Sequence, residues 1–257
     1  MSAPGGAAVL PEEAPVAVAL ARAAVYRLLG GAWAYPVPAH LEELASLAES
    51  AATDPDLAPA FAAFAAAVHQ ADAQAVAQEY VFLFDREARC PPYEGAWGDA
   101  PQMAGKSALL ADVAGFYAAF GIEPSAARPD MEDHIAAECE FMSVLALKEA
   151  WARLEAGDEA VDITRRAQVS FLADHLGRWA EAFALAVKAA TPLPYYAALA
   201  DLMTGWVRAD AGALGVAPDR LSGRLAHDPV REAEAFSCPM ATSPSPEEPE
   251  DETTFRA

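Results

Sequence analysis

Carboxylate side chains and one histidine are concentrated in a short segment near the middle of the chain. Between positions 129 and 142 this segment carries Asp130, Glu132, Asp133, His134, Glu138 and Glu140. Large apolar residues follow at helical spacing: Val144, Leu145, Leu147, Trp151 and Leu154. The composition predicts a helix with an acidic beginning and an apolar continuation. Such a helix suits a partner that is basic at one end and apolar further along.

Two roles compete for the acidic residues. Asp130 and Asp133 have the spacing of a capping box, in which polar and acidic side chains stabilise the positive end of a helix. That structural role does not explain why Asp130, His134 and Glu138 recur every four residues, on one helix face. His134 and Glu138 could ligate a metal, but the paired Glu-x-x-His pattern of helical di-metal sites does not occur. The sequence therefore predicts no metal site.

A second segment with interface chemistry lies in the Pro/Gly-rich loop predicted at 86–104. It contains the run Cys90-Pro91-Pro92-Tyr93-Glu94-Gly95-Ala96-Trp97-Gly98. The prolines stiffen the backbone, and Tyr93 and Trp97 are of the amphipathic type enriched at interfaces. The alternative is that both aromatic rings pack back over the core. Nothing in the neighbouring sequence predicts a lowered pKa for Cys90, so a reactive thiol is not indicated.

Gly105-Lys106-Ser107 resembles the end of a phosphate-binding loop. The full pattern needs a glycine at position 100, which is Ala100, and a preceding strand, which the sequence does not predict. We therefore expect Ser107 to cap a helix. His175, between Leu172 and Leu176, is predicted to be a packed histidine. No set of residues combines a nucleophile, a base and an oxyanion site, so neither a catalytic residue nor a cofactor is predicted.

The charge of the chain narrows the class of partner. Its 257 residues include 38 acidic and 17 basic side chains, for a net charge of −21. This charge disfavours nucleic acid and anionic membranes and favours basic peptides, although solubility alone would also account for it. Three separated cysteines predict neither a disulfide framework nor a zinc site. The sequence predicts no signal peptide and no membrane insertion, so we expect a cytoplasmic protein.

The elements that position these residues are predicted to be helices throughout, because apolar residues recur at helical spacing between proline and glycine breaks. Helices are predicted at about 16–33, 39–51, 57–70, 72–85, 109–120, 130–155, 159–190 and 195–209. The fold class is therefore all-α, a single globular helical bundle of about eight or more helices. We expect a flexible N-terminus at 1–15, one helical domain at 16–235 and an acidic disordered tail at 236–257.

Several sequence motifs, in their order along the chain, resemble those of the TorD/DmsD/NarJ-like redox-enzyme maturation chaperones. The matching segments cover about residues 17–210: residues 21–29 with Tyr35-Pro36, Glu79-Tyr80-Val81-Phe82-Leu83-Phe84, Pro91-Pro92-Tyr93-Glu94, Glu132-Asp133-His134-Ile135 with Glu138 and Phe141-Met142, residues 171–179, and residues 194–200. Gly95 departs from the family pattern, in which serine is usual after Pro-Tyr-Glu.

This resemblance implies a non-catalytic chaperone that binds the twin-arginine signal peptide or N-terminal region of a molybdenum-cofactor oxidoreductase catalytic subunit. The residues expected to bind this cargo are Tyr93, Glu94, Trp97, Asp130, Asp133, His134 and Glu138. Their carboxylates would meet the basic part of the cargo and their aromatic rings the apolar part. A nitrate-reductase-type assembly chaperone for a non-exported client is the nearer alternative, and a metal- or nucleotide-dependent helical enzyme is the more distant one. The sequence is also compatible with a homodimer.

Overall fold

In a computed structural model of the chain, residues 14–51, 54–86, 89–98, 103–123 and 131–225 are described. Nine α-helices form in these ranges: α1 (Ala14–Trp33), α2 (Pro38–Ala51), α3 (Ala58–His69), α4 (Ala73–Tyr80), α5 (Met103–Ala119), α6 (Ile135–Trp151), α7 (Asp158–Phe171), α8 (Gly177–Ala190) and α9 (Pro194–Leu214). No β-strand forms there, only two isolated bridges. The predicted all-α fold class is confirmed.

Most helix ends fall where the sequence predicted them, because the punctuating residues act locally. The Asp72 side chain accepts a hydrogen bond from the Ala75 N–H at 2.8 Å and caps α4. Gly121 follows α5 with a positive φ of 70°, the left-handed conformation expected of a residue just past a helix. Gly157 ends the helical run that begins with α6 and has a φ of 84°. Residues 1–13 and 226–257, which include the predicted tail, lie outside the described residues.

The start of α6 corrects the predicted acidic helix. This helix begins at Ile135, not at 130, and its N-cap is His134, whose Nδ1 accepts a hydrogen bond from the Ala136 N–H at 3.1 Å. The preceding backbone is paired with the Pro-Tyr-Glu loop: the Asp133 carbonyl accepts from the Glu94 N–H at 2.9 Å. A carbonyl used in this way is not available to continue the helix backwards. Asp130 lies outside the described residues.

The single long helix predicted at 159–190 is interrupted. A π-helical turn (Leu172–Leu176) separates α7 from α8, and similar turns follow α4 (Val81–Arg86) and α6 (Ala152–Ala156). A Cβ on Gly177 would lie 2.3 Å from the Leu172 carbonyl oxygen and 2.6 Å from Pro218 Cγ. Glycine is therefore required at the end of this turn, where the segment after α9 packs against it.

The core lies between α1, α6, α8 and α9. Its largest fully buried side chains include Trp33, Trp179, Tyr26, Tyr196 and Phe183. The α1–α6 pair makes the most extensive helix contact. Gly30 permits it, because a Cβ there would lie 3.0 Å from Glu140 Cγ and 3.2 Å from the Ala136 carbonyl oxygen.

Within the described ranges, α1 is the one helix long and apolar enough to cross a membrane, and 56% of its apolar stretch is buried inside the fold. A core helix of a water-soluble protein meets the same criteria. The buried side of α1 packs against α6, whereas Val18 and Leu20 are exposed.

A buried polar network also holds α1 in place. Arg22 donates to both carboxylate oxygens of Asp210 on α9, at 2.6 and 3.0 Å. The same guanidinium donates to Gln168 on α7 at 2.5 Å and to Glu149 on α6 at 3.3 Å. The Tyr26 hydroxyl donates to Asp210 at 2.7 Å. Four helices therefore meet at one charged centre, which the sequence analysis did not anticipate.

Candidate functional site

The Pro-Tyr-Glu loop docks against the entrance of α6. The Ile135 N–H donates to the Pro92 carbonyl at 2.9 Å, and Tyr93 and His134 form an isolated antiparallel bridge. Beyond Tyr93, the loop closes into one 3₁₀ turn (Glu94–Ala96). Two segments that are far apart in the sequence thus form one junction, as the sequence analysis had grouped them.

The buried side chain of Asp133 stabilises this junction through a hydrogen bond to the loop. Its side chain is fully buried, and Oδ2 accepts a hydrogen bond from the Gly95 N–H at 2.9 Å. Burial raises the pKa of Asp133, while the Gly95 N–H and the nearby Lys106 charge oppose the rise. A Cβ on Gly95 would lie 3.0 Å from Asp133 Oδ2, which is tighter than an ordinary contact. At this position the backbone N–H makes the contact, so the junction does not need the hydroxyl of the usual serine.

Glu138 lies behind the junction. It is fully buried on the first turn of α6, and its Oε2 accepts a hydrogen bond from the Trp179 indole N–H at 3.0 Å. Burial, and then the neighbouring Glu94 charge, raises the pKa of Glu138 well above its ordinary value. Among the described residues, no hydrogen-bond partner reaches its second oxygen, Oε1. This carboxyl is therefore placed to pin α8 against α6 and is not exposed to a partner.

Glu94 faces a cleft. Its buried Oε2 lies 3.0 Å from Nδ1 of His175, and Nε2 of that histidine lies 3.5 Å from the exposed carboxylate of Asp112 on α5. The cleft beside this row of groups has a volume of about 570 Å³. His175 is 3% exposed, so the prediction of a packed histidine is confirmed, but its partners are polar as well as aromatic.

The two aromatic residues of the loop have different surroundings. Trp97 is 3% exposed, donates its indole N–H to the Pro91 carbonyl at 2.9 Å, and meets Phe183 with ring centroids 6.1 Å apart. Tyr93 is half-buried and lies edge-on to His134 at a centroid distance of 5.2 Å. Trp97 therefore follows the core-packing alternative, whereas part of Tyr93 reaches the surface.

The structure brings six of the seven predicted cargo residues together. Tyr93, Glu94, Trp97, Asp133, His134 and Glu138 all lie at or behind the junction, and Asp130 is outside the described residues. All six except Tyr93 are buried. Three neighbours were not grouped with them from the sequence: Asp112, His175 and Trp179. The segment 171–179 was recognised as a motif, but no spacing signal links it to a loop some eighty residues earlier.

Two further predictions have structural outcomes. The Gly105-Lys106-Ser107 run lies inside α5, so the expectation that Ser107 caps a helix is wrong. That helix starts earlier, at Met103. Burial raises the pKa of Cys90 to about 11, which agrees with the absence of a reactive-thiol signal.

Within the described residues the protein is all-helical, and its candidate site is a junction that contains three buried carboxyl groups. The profile of the family described as nitrate reductase delta subunit matches residues 41–185. The chain belongs to this family, so the family membership predicted from its motifs is confirmed.

Curated relatives match about half of this chain. A perchlorate reductase assembly chaperone protein from Dechloromonas aromatica is 32% identical over 133 residues, which cover 51% of this chain. The chaperone protein TorD of Photobacterium profundum is 30% identical over 128 residues, 48% of this chain. Each match spans 58% of the relative's length. A solved structure from Archaeoglobus fulgidus, described as a candidate redox enzyme maturation protein, is 21% identical with a TM-score of 0.37, over 57% of this chain and 91% of its own.

Proposed function

We propose that this protein is a non-catalytic, cytoplasmic chaperone for a molybdenum-cofactor oxidoreductase. In this proposal it binds the twin-arginine signal peptide or the N-terminal region of the catalytic subunit. It holds that subunit until the cofactor has been inserted and export can follow. Family membership carries the proposal, together with two relatives that are both named as chaperones. TorD-family chaperones are cytoplasmic.

The charge of the chain supports a basic cargo. At −21 net charge, the surface attracts a peptide that carries two guanidinium groups and steers its approach. Guanidinium groups pair with carboxylates in bidentate geometry, which gives orientation as well as affinity. The cargo site proposed here remains the junction of the Pro-Tyr-Glu loop with α6. Tyr93 and Glu94 would make direct contacts, because Tyr93 reaches the surface and Glu94 lines the cleft.

The other predicted residues would act from behind these two. Asp133 fixes the loop through Gly95, His134 caps α6, and Glu138 holds Trp179. Trp97 packs the loop onto the core. In this arrangement a change at any of them alters the shape of the site without removing a direct cargo contact.

The apolar part of the cargo has a candidate surface further along the same helical run. Leu147, Trp151 and Leu154 are 48%, 59% and 65% exposed. Leu147 and Trp151 are four residues apart on one face of α6, and Leu154 follows in the π-helical turn (Ala152–Ala156). Large exposed apolar side chains grouped in this way are typical of interaction sites.

Co-expression with the catalytic subunit of the molybdoenzyme encoded nearest to this chain tests the proposal. We expect the two proteins to co-purify, and the complex to be lost when the first residues of the subunit, up to the end of its leader, are deleted. Trp151→Gln should weaken the complex, whereas Leu185→Gln, at a 54% exposed leucine on α8, should not. Failure of the full-length subunit to co-purify would overturn the proposed function.

A second candidate function follows from the family's own description. The description of the matching family is nitrate reductase delta subunit. The client of this second candidate is therefore a reductase that stays in the cytoplasm. Binding of such a reductase to this chaperone would not depend on a leader peptide. Co-purification that survives deletion of the leader would favour this second candidate.

A further inference from the structure

We infer that the cleft beside Glu94 and His175 is a binding subsite for an arginine side chain. This inference rests on the proposed function, because it assigns a place to the basic part of the cargo. The cleft is bounded by the 3₁₀ turn of the Pro-Tyr-Glu loop, α5, the π-helical turn after α7, the start of α8 and the segment that follows α9. Its volume of about 570 Å³ is within the usual range for a small ligand or a side chain with part of its backbone.

The floor of the cleft carries polar atoms that the fold leaves unsatisfied. The Glu94 side chain is 0% exposed and that of His175 is 4% exposed, and both residues line the cleft. Among the described residues, Glu94 Oε1 has no hydrogen-bond partner, and His175 Nε2 has only the Asp112 carboxylate at 3.5 Å, which is too long for a good hydrogen bond. A buried oxygen without a donor is destabilising, so a ligand that supplies a donor gains affinity from this site.

The rim of the cleft selects a cation. Asp112, Asp174 and Asp219 are exposed carboxylates on three different elements around it. One basic side chain, Arg178, also lines the cleft, and it donates to the main-chain carbonyls of Asp219 at 3.3 Å and Asp174 at 3.5 Å. With Glu94 there are four carboxyl groups against one guanidinium, which gives a negative local charge.

A guanidinium group fits this arrangement better than a compact ion. The acceptors come from separate elements and surround a cleft of several hundred Å³, so a ligand must offer several donors on a long, partly apolar stem. Arginine has five N–H donors in a planar fork on such a stem. Its terminal nitrogens could satisfy Glu94 at the floor while the rim carboxylates attract the charge.

The test uses the full chain and a dipeptide, N-acetyl-arginyl-arginine amide. Its control is the citrulline dipeptide, which has nearly the same shape and no charge. With imidazole nitrogens labelled, we expect the arginine dipeptide to shift the His175 signals and the citrulline dipeptide to leave them unchanged. The variant Asp112→Asn/Asp174→Asn should weaken binding roughly tenfold, because it removes two exposed carboxylates whose individual contributions are modest.

The rim variants keep the test independent of folding, since Asp112 and Asp174 are exposed. Glu42→Gln, at an exposed position on α2, controls for net charge and should bind the dipeptide like the wild type. Unshifted His175 signals would overturn the inference, as would equal binding by the rim variant. If the client still co-purifies in that case, the cleft assignment alone has failed. If the dipeptide binds and no client does, the proposed function has failed and the subsite stands.

Discussion

Glu138 shows how burial changes the chemistry of a side chain that looks like a surface acid in the sequence. It lies inside the first turn of α6, accepts a hydrogen bond from Trp179, and is close enough to Glu94 for the charge of one to act on the other. Burial, and then the Glu94 charge, raises the pKa of this carboxyl group, so it keeps its proton to a higher pH than in the unfolded chain. Its contribution to stability therefore depends on pH.

The first prediction concerns that dependence. Burial raises the pKa of Glu138 in the folded state, so the folded chain binds more protons than the unfolded chain above the ordinary value of 4.5. The free energy of unfolding of the wild type should consequently fall as pH rises from 4.5 through the folded-state pKa. Glu138→Gln keeps an acceptor for Trp179 and cannot ionise. Relative to the wild type, it should become more stable with increasing pH.

Urea unfolding between pH 5 and 8 measures this difference. The control Glu42→Gln should run parallel to the wild type over the whole range, since Glu42 is exposed on α2. If the difference between Glu138→Gln and the wild type does not change with pH, Glu138 does not carry a raised pKa.

Gly177 lies where the surrounding atoms leave no room for a side chain. In Gly177→Ala the new methyl group would meet the Leu172 carbonyl oxygen and the Pro218 ring, both well inside contact distance. Overpacking of this kind costs about 1–3 kcal/mol, so the melting temperature should fall by several degrees. Gly212→Ala is the matched control, because no atom lies within 4 Å of its Cβ and the residue is inside α9. It should be neutral or slightly stabilising.

At the scale of the elements, Arg22 joins α1, α6, α7 and α9 through one guanidinium. We predict that Arg22→Met destabilises the protein by about 3–5 kcal/mol, because the Asp210 carboxylate would remain buried without its charged partner. Glu149 would keep its ion pairs with Arg153 and Arg165. Arg27→Met removes an exposed pair with Glu43, at 67% and 51% side-chain exposure, and should cost less than about 1 kcal/mol. Equal stability of the two variants in denaturant titrations would show that the buried network contributes nothing beyond a surface pair.

The helices were largely predictable from the sequence because their signals are local. Apolar spacing defined each helical segment, and Gly121 and Gly157 ended helices where expected. The start of α6 was predicted five residues too early, since the Pro-Tyr-Glu loop uses the backbone of Asp133. The π-helical turn before Gly177 was missed because the apolar spacing through it still looks helical. The contact of Gly177 with Pro218 joins residues that are far apart in the sequence, so no local pattern indicates it.

The sequence predicted which residues lie together in the candidate site, but not which of them are buried. The motifs grouped the loop with the acidic segment, and the structure brings them together. Which carboxylates are buried depends on packing between elements distant in the sequence, as in the contact of Glu94 with His175. A pattern of acids along one segment does not contain that information.

At the scale of the whole molecule, the net charge of −21 should act on the rate of encounter. We predict that the association rate constant with a twin-arginine leader peptide falls at least about tenfold between low ionic strength and 0.3 M salt. The dissociation rate constant should change far less, because short-range contacts determine it. Surface-plasmon measurements over a salt series would separate the two. An association rate independent of salt would mean that the charge serves solubility alone.

The π-helical turn between α7 and α8 has a consequence for protein engineering. A π-helical turn closes i→i+5 hydrogen bonds and therefore holds about one residue more than an α-helical turn. Each residue of an α-helix rotates the chain by about 100°, so an insertion or deletion that this turn does not absorb would rotate the whole of α8 relative to α7. Trp179 and Phe183 would leave the core side together, and Gly177 would no longer meet Pro218. Chimeras between members of this family should therefore exchange residues 171–177 as one block, with 218 from the same parent. A crossover inside that block, between parents with different numbers of residues there, would change the helical phase of α8.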